Sequence, residues 1–353
     1  MKWLLPSCIV LLSLISLITL RSVAPQLVGL QTTFVILGLG TFLASWKMGF
    51  DRFLTFRWPL YVGLLVLLII IFLFAEVTRG STSWLAVGGI NIQGSQLAGP
   101  IIALVIAQYV AKNGLRTLEA LVGLAGIISL PIGLIIIAPD LGTAIIVLSS
   151  IAGVILSSSI KNEFIIGGVL AVGAIALFSW LFVLAPYQKD RITSFINPSG
   201  DTQDSGYNAR QALIAVGSGQ LVGRGLGQGI QSQLRFLPER QTDFIFASLA
   251  EEWGFVGAGL VLVLYMLFIG SILFKLWKLP NSPQYFFMIA TLFFFTTQIL
   301  VNIGMNMQLV PITGITLPFV SYGGSSFIAF CLHCGIAQSI ITQKETIRSY
   351  HFA

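Results

Sequence analysis

The sequence predicts an all-α integral membrane protein of about ten transmembrane helices, with one long polar loop between the seventh and the eighth. Three observations predict it. Of the 353 residues, 56% are hydrophobic and only 9% charged, with a mean hydropathy of +0.92, whereas a soluble domain carries about 25% charged residues. The apolar residues fall into ten stretches, each near the roughly 20 residues that cross the hydrocarbon core of a bilayer. Charge then returns in one place: eleven of the 19 basic and 13 acidic residues lie within 187–243.

The first stretch, 3–20, resembles a signal peptide but lacks a small-residue cleavage site before the next apolar run, so it reads as an uncleaved helix. The others run at about 26–46, 58–76, 97–112, 118–138, 142–159, 164–186, 244–274, 283–306 and 317–342. The eighth is long enough to begin with an interfacial piece. The chain reads as a single polytopic domain over 1–353.

Ten spans put both termini on one side, and basic residues choose the side. With the N-terminus inside, the inner segments hold eleven Lys and Arg, and the short outer loops only Arg21 and Arg79. Basic residues collect in cytoplasmic loops, so both termini are expected in the cytoplasm of a bacterial cell, with the 187–243 loop outside the cytoplasmic membrane. The net charge of +6 serves this topology and does not argue for nucleic acid. Cys8, Cys331 and Cys334 all lie in apolar stretches and give no disulfide framework. Cys331-Leu332-His333-Cys334 has half the ligands of a metal site and reads as buried small side chains.

The long loop has hydrophobic anchors at Tyr187, Phe195, Tyr207 and Phe236, which favour an ordered segment folded back on the membrane. Its stretch GSGQLVGRGLGQG (217–229) could form a nest of backbone N–H groups for an anion, with Arg224 in its middle, or a flexible turn. FLPERQTDFIF (236–246) sets Glu239, Arg240 and Asp243 against Phe244, Ile245 and Phe246. Asp243 fits two roles, a general base in an apolar setting or, with Thr242, a helix cap. Glu251 and Glu252 follow at membrane depth, where charge is costly. They lie over two helical turns from Asp243, too far to flank one bond with it, and a structural pairing with a loop arginine suits them. Asp140, in PDLGT, reads as a turn with an Asx cap. The run 302–330 is broken by Pro311, Gly314, Pro318, Gly323 and Gly324. Such backbone is tolerated at the membrane only inside protein or along a cavity, so it reads as an unwound segment closing a site, with hydroxyls at Ser321, Ser325 and Ser326.

The stretches SWLAVGGINIQGSQ, PDLGTA, YQKDRI, GRGLG, FLPERQTDFIFASLAEEWGFVG and LVPITGITLPFVSYGGSS, collinear across the ten spans, resemble the SEDS family (shape, elongation, division and sporulation) of bacterial cell-wall polymerases. The resemblance implies a peptidoglycan glycosyltransferase that polymerises lipid II, a disaccharide-pentapeptide on undecaprenyl diphosphate, into β-1,4 glycan at the outer face of the membrane. It implies Asp243 as the catalytic residue. The α-linked donor and β-linked product need one displacement and one base. Diphosphate leaves without the proton that a second carboxylate supplies in inverting glycosidases. On this reading substrate contacts are expected from Trp84, Lys189, Arg191, Arg210, Arg224, Glu239, Arg240, Thr242, Ser321, Gly323, Gly324 and Ser325. Asp140, Glu251 and Glu252 are structural. A divalent cation (Mg or Mn) could share the charge of the diphosphate, but no ligand cluster identifies a site. The expected partner is a class B penicillin-binding protein within an elongation or division complex. The short tails lean towards elongation and cell shape.

Around the tryptophan the family pattern is close to R-W, then Q-P-S-E-x-x-K. Here it reads Ser83-Trp84, then Gln93 to Gly99, without the arginine, glutamate or lysine. Gln241 and Gln308 stand where the family often has histidine and glycine. A lipid II flippase and a catalytically silent scaffold for the penicillin-binding protein are the competing readings. The scarcity of intramembrane charge argues against the first, and the altered 83–99 region keeps the second open.

Overall fold

In the computed structural model, residues 2–74, 84–87, 90–184, 188–189, 193–195, 205–234 and 236–343 are described. They form a helical bundle: α1 (Leu4–Val23), α2 (Val28–Met48), the short α3 (Phe50–Thr55), α4 (Arg57–Phe74), α5 (Ala98–Asn113), α6 (Leu118–Ile137), α7 (Leu141–Ser157), α8 (Asn162–Phe178), α9 (Ser205–Ser218), the one-turn α10 (Ile230–Gln233), α11 (Ile245–Leu276), α12 (Pro283–Asn306) and α13 (Gly324–Thr342). Among the described residues nine helices are long and apolar enough to cross a membrane, and α7, with 17 residues, is a shorter tenth. The expected helical membrane architecture is therefore present. One addition is a hairpin of β1 (Trp84–Val87) and β2 (Ile90–Gln93), antiparallel with Trp84 opposite Gln93 and Val87 opposite Ile90.

Local chemistry sets the helix ends. Ser282 accepts the Tyr285 N–H at the start of α12, with Pro283 in its first position, and Thr117 accepts the Ala120 N–H of α6; both satisfy donors that a helix start leaves unpaired. Gly49 (φ 81°) and Gly114 (φ 63°) follow α2 and α5, in a backbone region that glycine enters without penalty.

The core runs through α5, α12 and α13, which are apolar on most faces and buried on most faces. At α8, by contrast, no described side chain is buried, as suits a helix with lipid all round. The seam between α2 and α13 depends on small residues. A β-carbon at Gly324 would lie 2.5 Å from the Phe34 ring, and one at Gly335 would lie 2.5 Å from the Phe42 carbonyl oxygen and collide with Ser45 Oγ. Small residues at such crossings let spanning helices approach closely.

The last span departs from expectation. Helix α13 begins at Gly324, not 317, and residues 308–323 contain no helix. Pro311 and Pro318 cannot continue a helix, and Gln308 (φ 56°), Gly314 (φ 73°) and Phe319 (φ 63°) adopt left-handed backbone. Side chains satisfy this segment's carbonyls. Asn302 Nδ2 donates to Ile315 O (2.7 Å), Gln298 Nε2 to Thr316 O (3.0 Å) and Tyr265 Oη to Pro318 O (2.6 Å). The unwound segment expected at the end of the chain is thus protein-lined on its polar side.

Candidate functional site

Helix α11 contains a break. At Gly254 the backbone has φ 68° and ψ −164°, a conformation essentially confined to glycine. A break inside a span strands carbonyls and N–H groups where no water reaches them. Here the glycine-rich loop fills the gap. Arg224 N–H donates to Glu251 O (3.0 Å) and Gly225 N–H to Glu252 O (3.0 Å), while Phe255 N–H donates to Gln220 O (2.8 Å) and Val256 N–H to Leu221 O (3.0 Å). Four backbone bonds splice residues 220–225 into the helix.

The two carboxylates beside the break use the remaining donors of the same loop. Glu251, fully buried, accepts from Gln231 N–H (2.9 Å), Ser232 N–H (3.0 Å) and Ser232 Oγ (2.5 Å), capping α10. Glu252 accepts from Ser22 Oγ (2.6 Å), Gly227 N–H (3.2 Å) and Gln233 Nε2 (3.1 Å), which ties the end of α1 to the loop. Two expectations change. The nest of N–H groups is not open to an external anion, because the N–H groups of Gly223, Arg224, Gly225 and Gly227 donate to Gly219, Glu251, Glu252 and Ser22. The partners of Glu251 and Glu252 are N–H groups, an amide and hydroxyls rather than a loop arginine. The break and the two buried charges both need donors, and a loop free of bulky side chains can approach closely enough to supply them.

This spliced helix starts at Ile245, two residues after Asp243. Phe244, Ile245 and Phe246 are buried, and Phe244 joins Ala212 and Ala215 of α9, Leu237 and Ala247 in a small apolar cluster. Asp243 itself is half-buried. Its neighbours are fixed through their carbonyls. Tyr322 N–H donates to Gln241 O (2.9 Å) and Ser321 Oγ to Thr242 O (2.6 Å). The Asp243 carbonyl accepts from Asn302 Nδ2 (3.1 Å) and Asn306 Nδ2 (3.0 Å). The helix-cap reading of Asp243 and Thr242 does not hold. The N-cap position belongs to Phe244, which makes no side-chain cap. The Ala247 N–H is taken by Asn306 Oδ1 from α12 (3.0 Å), and Thr242 Oγ1 donates to Glu239 (3.0 Å to Oε2). Glu239 is left-handed (φ 49°), so the chain turns sharply just before Asp243.

The structure therefore brings Glu239, Arg240, Thr242 and Asp243 together with Ser321. Arg240 Nη1 donates to the Ser232 carbonyl, joining this turn to α10. Gly323 donates its N–H to Gln31 Oε1 (3.3 Å) and Gly324 packs on Phe34, so both hold α13 against α2. Ser325 Oγ accepts the Gln93 N–H (3.0 Å) at the foot of the hairpin. There Asp140 caps α7 through Thr143 N–H (3.2 Å) and accepts from Gln93 Nε2 (2.7 Å) and Ser95 Oγ (2.6 Å). Residues 313–325 connect the two networks, since Gly142 also packs on Thr313 and Ile315. Gly99, where the family has lysine, is covered by the Phe294 ring, and Gln96 donates to Gln93 Oε1 (3.1 Å). Neutral packing and amide bonds occupy the positions where the family pattern has glutamate and lysine.

The other cations are dispersed. Lys189 sits over the Trp180 ring, 6.0 Å from its centroid. Arg210 and Arg224 are exposed on α9 and on the loop. Arg191 lies outside the described residues, and for Trp84 only the strand backbone is described. The three cysteines are buried and free, and His333 bonds Thr291 Oγ1 (3.0 Å). Among the described residues no three His, Cys, Asp or Glu side chains are grouped to hold a metal ion. Asn302, Asn306 and Gly254 escaped the sequence reading. The signal for the asparagines was legible in NIGMN, two amides four apart in an apolar helix.

Comparison with known proteins shows the family to which the chain belongs. The family model described as "Cell cycle protein" (FtsW, RodA, SpoVE) matches residues 2–346. The chain belongs to the FtsW/RodA/SpoVE family. It is 35% identical to the peptidoglycan glycosyltransferase MrdB of Escherichia coli K12 over 292 residues, which cover 82% of this chain and 78% of MrdB. It is 30% identical to the probable peptidoglycan glycosyltransferase FtsW of Pseudomonas fluorescens SBW25, covering 97% of this chain and 88% of that one. A solved structure from work on polymerization and crosslinking by a peptidoglycan synthase complex superposes with a TM-score of 0.82 at 26% identity, over 96% of this chain and 97% of the other. The rod shape determining protein RodA of Thermus thermophilus shares the fold with a TM-score of 0.72 at 23% identity, over 96% of each chain.

Proposed function

We propose that this FtsW/RodA/SpoVE-family protein is a peptidoglycan glycosyltransferase that polymerises lipid II at the outer face of the bacterial cytoplasmic membrane, with Asp243 as general base. The observation that carries the reading is the placement of Asp243. It is a half-buried carboxylate at the start of a spanning helix, on a turn fixed to α12 and to the 308–323 segment. Chain-long similarity to relatives named peptidoglycan glycosyltransferase supports it.

On this reading Asp243 takes the proton of the acceptor 4-hydroxyl as that oxygen attacks the anomeric carbon of the donor. The carbon–oxygen bond to the diphosphate breaks, and the diphosphate leaves with its electron pair. One displacement inverts the α-link to β. A second carboxylate is unnecessary because diphosphate departs unprotonated. Charge building on it favours cations and oriented N–H groups, for which Lys189, Arg191, Arg210, Arg224 and Arg240 remain the candidates. Trp84, Glu239, Thr242, Ser321, Gly323, Gly324 and Ser325 are proposed to shape the sugar and lipid boundary.

A class B penicillin-binding protein is the proposed partner, supported by the likeness to a chain of a peptidoglycan synthase complex. Elongation and cell shape are the proposed setting, with both termini in the cytoplasm. Transport of lipid II gains no support: Glu251 and Glu252, the acidic pair within a span, are buried in bonds to the loop.

The test is polymerisation of purified lipid II in detergent, with and without the penicillin-binding protein, for wild type and Asp243→Asn. Glycan strands from wild type alone are expected. Strands from Asp243→Asn at wild-type rate would remove the assigned base. No strands from folded wild type with its partner would leave a scaffold.

A further inference from the structure

Asn302 and Asn306 are fully buried and lie one turn apart on α12, so they project from the same face. An amide inside a spanning helix is costly unless its hydrogen bonds are made. A cap for α11 would need only one acceptor, which Asn306 Oδ1 supplies to Ala247 N–H (3.0 Å). The donors are used otherwise. Asn302 Nδ2 bonds Asp243 O (3.1 Å) and Ile315 O (2.7 Å), and Asn306 Nδ2 bonds Asp243 O (3.0 Å) and Asn302 O (2.8 Å). Both amides therefore converge on one carbonyl oxygen, filling its two acceptor sites.

That carbonyl belongs to the residue whose side chain is assigned the proton transfer. With Gln241 O and Thr242 O held by Tyr322 and Ser321, three consecutive carbonyls are fixed, and the Asp243 carboxylate is aimed by its own side-chain torsions from a fixed base. We propose that Asn302 and Asn306 form an amide clamp that positions Asp243 for general-base chemistry by fixing its backbone. Both are positioning residues, since each reaches the proposed chemistry through the backbone of Asp243. The inference rests on the reading of Asp243 as the base.

The test compares Asn302→Leu, Asn306→Leu, Asn306→Asp and the double leucine variant with wild type. Lipid II polymerisation is measured in detergent with its partner, and kcat and KM are referred to the folded fraction from size exclusion and thermal melting. Asn306→Asp keeps an oxygen facing Ala247 N–H but loses the donors to Asp243. A misplacement near 1 Å costs about 100-fold in rate. The expected result is a kcat about 10- to 100-fold lower in each variant, with KM within about twofold. The double variant should fall no further than about the worse single, because both amides act on one carbonyl. Should a leucine variant not fold, the serine variant at that position takes its place. The clamp is overturned if folded variants keep wild-type kcat, if Asn306→Asp behaves as wild type (a cap only), or if KM and kcat change together with the melting temperature. Asp243→Asn, assayed beside them, separates the two ideas. An active Asp243→Asn sinks the base and the clamp together, whereas an inactive one with active asparagine variants sinks the clamp alone.

Discussion

Replacing Gly254 with alanine probes the splice that supports the site. At φ 68°, ψ −164° an L-residue is strained by about 1–3 kcal/mol. The new β-carbon would also collide with the Gly223 nitrogen and lie 2.6 Å from Leu221 O. Both are backbone atoms of the spliced loop, so no side chain can swing aside. The chain can relieve the clash by expelling the loop and closing α11 into a continuous helix. That recovers helical bonds for Phe255 and Val256, but it strips Arg224 and Gly225 of their acceptors and takes donors from Glu252. Each lost bond is worth about 1 kcal/mol net, and a buried carboxylate left short of donors costs more. Expelling the loop relieves the strain, so the loss is set by the two bonds and the donors taken from Glu252, at least about 2 kcal/mol. Trypsin reports it directly, since Arg224 lies in the loop. Gly254→Ala should be cut after Arg224 markedly faster than wild type in detergent micelles, melt lower, and polymerise lipid II poorly. Unchanged proteolysis and melting would refute the account of the break as glycine-dependent.

Two further outcomes follow from the geometry. Gln308 occupies left-handed backbone (φ 56°), so Gln308→Gly should stabilise the protein by about 0.5–1 kcal/mol; a lower melting temperature would show that its side chain matters more than its backbone. Glu251→Gln replaces one acceptor oxygen with a donor facing N–H or hydroxyl groups of α10. It should cost about 2–4 kcal/mol and loosen 230–233, seen as faster amide exchange there, and wild-type exchange would sink it.

Much of the fold was legible because the bilayer imposes one length and one polarity on every span. Eight of the nine spans and the shorter α7 match the apolar stretches within a few residues. The start of α13 was misplaced because hydropathy does not sense backbone conformation, whereas Pro318 and the left-handed Phe319 do break a helix. The hairpin at 84–93 was invisible to a helical periodicity. Asp243 was legible only as a carboxylate out of place among aromatics, and as the residue that the family resemblance marks. The glycine-rich loop offered a nest for a foreign anion or a flexible turn, yet its anions are Glu251 and Glu252, because a break in a buried helix creates internal acceptors that local sequence does not announce.

The sequence by itself determined the solvent, the number of crossings, the one polar loop and the residue types available for chemistry, since each follows from local composition and the thickness of lipid. Only the tertiary structure decided which donors meet which acceptors. Ser22 meets Glu252 across 230 residues, Ser321 meets Thr242 across 79, and two asparagines of α12 meet one carbonyl. In an apolar interior every polar group must find a partner, and that partner is chosen by how the helices pack, not by what stands beside it in the chain.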